Sequence, residues 1–153
     1  MVKRQTSCVC WEFRNGCYPY SVFVGVGISD LFIRKHFVRI EDKGGRLVTS
    51  EFKRGENVYG GNTAVGVQIV GERHGYVGVM FNINPNVTVT ASTLAHEASH
   101  AADWMCDHCG ITYGTFETGE SHAYIAGMVA GWIEQVAKGE VSTDIARRVK
   151  STT

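Results

Sequence analysis

The feature that most limits what this chain can fold into is a change of hydrophobic period at Asn84-Pro85-Asn86. Before it, apolar residues come in short β-branched and aromatic runs; after it, they recur at helical spacing. Tyr20-Ser21-Val22-Phe23-Val24-Gly25-Val26 reads as a strand. Phe37 to Ile40 and Arg46 to Thr49 flank Asp42-Lys43-Gly44-Gly45, a hairpin signal. Ala64 to Val70 and Tyr76 to Asn82 flank Glu72-Arg73-His74-Gly75, a second one. Gly55 to Asn62 reads as a long loop, Thr6 to Gly16 as polar, and Asp30 to His36 fits a strand or a short helix equally.

Beyond the proline, a helix is predicted from the Thr88 to Thr90 region, where a threonine can cap it, through Leu94 and Trp104 to about Cys106, with Gly110 as its stop. A second helix is predicted from about Thr118 to just before Gly139, with Ile125, Val129, Trp132, Ile133 and Val136 in its apolar pattern. A short third helix is expected after Ser142 or Thr143, with Arg147, Arg148 and Lys150 on its solvated face. Strands first and helices after predict an α+β fold. It is an N-terminal, mainly antiparallel sheet followed by two long helices, in one domain spanning residues 1–153.

The chain has 153 residues, 44% hydrophobic and 20% charged, enough for one ordinary core. Its 15 basic and 15 acidic residues cancel. That balance argues against a nucleic-acid partner, which calls for a basic excess. No window is apolar for long enough to suggest a membrane span, and no apolar run follows Lys3 and Arg4 as a signal peptide requires. The expected location is the cytoplasm. An odd count of five cysteines in such a chain argues against a disulfide framework.

The first predicted helix carries His96-Glu97-Ala98-Ser99-His100. Two histidines four apart lie one above the other on a helix, so both imidazoles can reach one metal ion. The glutamate between them is then placed as general base for a water that the metal acidifies. Ala95, Ala98, Ala101 and Ala102 surround the trio and permit close approach of another helix. Catalytic zinc usually takes three protein ligands, so a third is expected elsewhere. Glu120, 20 residues after His100 and at the start of the second helix, is the leading candidate. Glu117, Cys106, His122 and His108 are alternatives.

These residues resemble the gluzincin zinc peptidases, which carry the same motif on one helix and a ligand Glu on the next. Gly119-Glu120-Ser121-His122-Ala123-Tyr124 is similar to the second helix of minimal gluzincins. The stretch from His96 to Gly127 also looks like small phage-encoded metallopeptidase-like proteins. The resemblance covers about residues 76 to 136. It implies a zincin-like fold and a zinc-dependent metallopeptidase. In that reading His96, His100 and Glu120 are the metal ligands, Glu97 is the catalytic base, and the substrate is a peptide or protein, in the host cytoplasm if a phage encodes the chain. It also implies that the strand from Tyr76 to Asn82 holds substrate along a sheet edge, although an interior strand fits its composition equally well. The chain departs from larger gluzincins in having Tyr124 where they place a second acid; Asp103, one turn beyond His100, is the candidate substitute. Metzincins fit less well, because Asp103 and Cys106 stand where they need Gly and His. Tyr113, Tyr124 and His122 are candidate oxyanion donors. A second, structural zinc is conceivable at Cys8, Cys10, Cys106 and Cys109; the alternative is four reduced thiols.

Overall fold

In a computed structural model, the described residues are 9–14, 21–32, 58–62, 78–86, 88–112, 114–115 and 119–149. They form an α+β unit. Five strands, β1 (Val9–Arg14), β2 (Ser21–Val26), β3 (Val58–Asn62), β4 (Gly78–Ile83) and β5 (Ala146–Arg148), make one mixed sheet in the order β3-β4-β2-β1-β5. Two helices, α1 (Ala91–Cys109) and α2 (Gly119–Lys138), pack on it. Three of the four pairings are antiparallel, as expected; β2 and β4 run parallel, with Val26 level with Ile83.

The pleat sorts the strand side chains into two buried layers. Phe13, Val22, Val24, Val79, Phe81 and Ile83 face the helices, meeting Ala98, Ala101, Ala102 and Met105 of α1 and Ile125, Val129, Trp132 and Ile133 of α2. Phe13 stacks on Trp132 at 5.1 Å between ring centres. The alternate residues Cys10, Glu12, Phe23, Met80 and Asn82 are buried on the other face. Asn82 holds that face to the segment after β2: its side chain accepts from the Ile28 amide at 2.9 Å and donates to the Ile28 carbonyl at 3.1 Å. Gly78 permits the close β2–β4 approach, since a Cβ there would strike the Ser21 backbone.

Both long helices arise where expected. Thr90 caps α1, its hydroxyl accepting from the Thr93 amide at 3.2 Å. Gly110 ends the helix at φ 69°, and the Ile111 amide returns to the Cys106 carbonyl at 2.9 Å, so the termination is a Schellman turn. The segment from Asp30 resolves toward helix, residues 30–32 being helical.

Two expectations are corrected, and two segments that the sequence left open are assigned. Residues 58–62 are a strand rather than a loop, because pairing along β4 uses backbone groups that Gly60 and Gly61 supply as well as any residue. Val9–Arg14 is a strand despite its polar residues; Trp11 and Phe13 alternate with Cys10 and Glu12, and the charge of Glu12 hides that period. The C-terminal helix stops after one turn, in which the Ile145 and Ala146 amides both reach the Ser142 carbonyl, and the chain then enters β5. Arg147 therefore lies on a strand, where it bonds Glu12 at 2.6 Å, and not on a helix face. Finally, β4 lies between β3 and β2, so it is an interior strand and not an edge for an extended peptide. The hairpin predicted over residues 37–49 and the strand predicted over 64–70 lie outside the described residues. No helix among the described residues is long and apolar enough to cross a membrane.

Candidate metal centre

The burial pattern of α1 sets where its motif looks. Ala98, Ala101, Ala102, Met105 and Cys106 face the core. His96, His100, Asp103 and Asp107 follow one another at spacings of four, three and four on the opposite side. His96 is exposed, and His100 and Asp103 are half-buried. The motif therefore opens outward from the helix pair.

His96 and His100 converge. Their Nε2 atoms are 3.1 Å apart, with the rings nearly perpendicular and their centres 4.6 Å apart. Two nitrogens bound tetrahedrally to one zinc at its usual bond length stand about 3.3–3.4 Å apart. The pair thus fits as two ligands of a single ion with almost no rearrangement. Glu97, half-buried, lies between them in sequence. Ser99 is tied into the helix, its hydroxyl donating to the Ala95 carbonyl at 2.8 Å. Trp104 flanks His100 at 6.0 Å between ring centres.

The partner helix brings His122, one of the alternative ligands, against α1. His122 Nε2 lies 2.7 Å from Asp103 Oδ1, joining the first turns of α2 to the second half of α1. Both partners are part-buried, with side chains 22% and 33% exposed. The helices are antiparallel, since Leu94 of α1 and Glu134, Val136, Ala137 and Lys138 of α2 line one pocket at the far end. The Asp103–His122 contact fixes their register. At a helical rise of about 1.5 Å per residue, His100 lies about 4.5 Å to one side of that contact and Glu120 about 3 Å to the other. Glu120 also shares its helix face with Tyr124, one turn on, which is 73% exposed. The first turn of α2 thus turns His122 toward α1 and Glu120 outward. Among the described residues, no group of three His, Cys, Asp or Glu side chains converges to hold a metal. Asp103, the candidate support for a zinc histidine, bonds His122.

The cysteines are divided by the sheet. Cys10 sits on the face that carries Glu12 and Phe23, while Cys106 belongs to the helix-side core. Cys109 packs against that same core. Cys8, with the alternatives Glu117 and Tyr113, lies outside the described residues. Burial raises the thiol pKa of both Cys106 and Cys109; at Cys106 the carboxylates of Asp103 and Asp107 push further the same way.

A separate pocket of about 880 Å³ opens where β2 and β4 end, between the start of α1 and the end of α2. Its wall includes Val26, Ile83, Leu94 and Val136, and neither motif histidine. Comparison with protein-family models, curated proteins and solved structures finds no match for this chain.

Proposed function

We propose that this chain is a zincin-like, zinc-dependent metallopeptidase that hydrolyses peptide bonds. The observation that carries the reading is the 3.1 Å approach of His96 Nε2 to His100 Nε2 across one turn of α1, close to the separation of two ligands on one tetrahedral ion. His96 and His100 are the ligands from α1. Glu120, exposed on the first turn of α2, is the third ligand that the gluzincin resemblance implies. When bound there, zinc would supply Lewis acidity toward a water and a peptide carbonyl. Glu97 takes the proton from the attacking water and delivers it to the leaving amine. His122, held by Asp103 beside this stripe, is an oriented side chain able to donate to a developing oxyanion. The setting is the cytoplasm, that of a host cell if a phage encodes the chain.

The outward stance of Glu120 favours a second reading, in which a metal on α1 stabilises a binding protein without turnover. Glu97→Gln separates the two. The peptidase retains zinc at full affinity and loses at least about a hundredfold in turnover of a peptide library, as removal of a general base does. A variant with undiminished biological activity would sink the peptidase and leave the binding protein; hydrolysis confined to non-peptide amides would keep the zinc chemistry and replace the substrate.

A further inference from the structure

We propose that Cys106 and Cys109 form a two-thiolate site for a soft monovalent cation of the copper(I) type, distinct from the histidine pair. The two residues stand three apart in the last turn of α1, on the side that meets the core. Cys106 is fully buried and Cys109 half-buried, so the second sulfur offers a route of entry from solvent.

Helix geometry decides what such a pair can do. Residues three apart on an α-helix hold their Cβ atoms about 5–6 Å from each other. A disulfide needs about 3.5–4.5 Å between the same atoms, so oxidation would have to unwind the turn. A bridging ion needs no such change: bonds of about 2.3 Å to each sulfur span up to about 4.6 Å between the sulfurs. Zinc takes four ligands in a structural site, and this pair supplies two. Two-coordinate binding by soft sulfur suits a monovalent d10 ion, which thiolates select over harder cations.

The surroundings favour a cation. Asp103 and Asp107 place negative charge within reach of Cys106 from the outer side of the helix, and the carbonyl end of α1 adds negative potential. The Ile111 amide caps the Cys106 carbonyl at 2.9 Å, so the turn that carries both sulfurs is closed and ordered for binding. On binding, two S–H bonds release two protons to solvent and two sulfur–metal bonds form; no electron is transferred.

The test is anaerobic titration of the full chain with copper(I) buffered by a chromogenic competing chelator. It is read together with X-ray absorption and with alkylation mapping by mass spectrometry. The expected result is one tightly held equivalent in two-sulfur coordination, with copper(I) shielding Cys109, the half-buried sulfur, from iodoacetamide relative to the metal-free chain. Cys109→Ser should weaken binding by more than about a hundredfold, beyond what loss of an outer-shell partner costs. His96→Ala/His100→Ala should leave it unchanged. Because the shielding pattern is read on the unaltered chain, a variant that fails to fold does not remove the test. No tight equivalent, shielding at other cysteines, nitrogen or oxygen coordination, or a folded Cys109→Ser chain that binds as tightly overturns the proposal.

Discussion

Asn82→Leu tests how the second face of the sheet is held. Asn82 is fully buried on β4, and its amide makes two hydrogen bonds to one residue, accepting from Ile28 N at 2.9 Å and donating to Ile28 O at 3.1 Å. Leucine is nearly the same size and shape, so the cavity contribution is small. What changes is that a backbone amide and a carbonyl, both buried, lose their partner. Each such loss costs about 1–3 kcal/mol, so the variant should be less stable by about 2–6 kcal/mol. With a urea dependence of about 2 kcal/mol per molar, the midpoint should fall by about 1–3 M at unchanged slope. Asn84→Ala is the control. Its Oδ1 accepts from the Asn86 amide at 3.0 Å on the surface, where water replaces the bond, and its cost should stay near about 0.5 kcal/mol. Equal losses for the two variants, or a loss at Asn82 below about 1 kcal/mol, would refute the claim that this amide clamps Ile28 to the sheet.

Three further outcomes are expected. Arg147→Ala removes one of two guanidinium groups from the buried Glu12 carboxylate; since Arg147 is itself half-exposed, the cost in thermal or urea unfolding should be about 1–2 kcal/mol, and a neutral effect would remove β5 from the packed sheet. The raised thiol pKa values at Cys106 and Cys109 mean that the folded chain keeps protons that the unfolded chain loses first. Stability should therefore hold below the ordinary thiol value of 9.0 and fall as pH rises past it, and a stability flat between pH 8 and 11 in the metal-free protein would contradict the shift. Zinc affinity measured by competition should drop more than about tenfold for Glu120→Gln and stay within about threefold for His122→Ala; the reverse order moves the third ligand to the histidine that α2 turns inward.

The helices were legible in the sequence because each carries its own boundary chemistry and period. Thr90, Gly110 and the apolar series from Ile125 to Val136 are local signals, and the helices follow them within a few residues. The strands were legible only where both faces are apolar, as in Val22 to Val24. At Val9–Arg14, a carboxylate buried between Arg14 and Arg147 makes a core strand look like a surface one, since Arg147 lies 135 residues away and no local pattern announces it. At Val58–Asn62 the glycines signal a turn, and it is the backbone of β4, distant in sequence, that makes them a strand.

The candidate site divides along the same line. A spacing of four within one helix fixes both distance and direction, so His96 and His100 could be paired from the sequence alone, and they converge to 3.1 Å. The interval from His100 to Glu120 crosses a connection, and a count of residues across a connection fixes neither the rotation of the second helix nor its slide along the first. At 100° per residue, two positions in α2 separate a side chain turned toward α1 from one turned away from it. His122 and Glu120 stand two positions apart, and the Asp103–His122 contact selects the former. A third ligand assigned from spacing therefore needs a contact that fixes helix phase, which a residue count across a connection does not supply. The inner position goes to an imidazole held by a carboxylate, the arrangement that orients histidines at metal and proton-transfer sites.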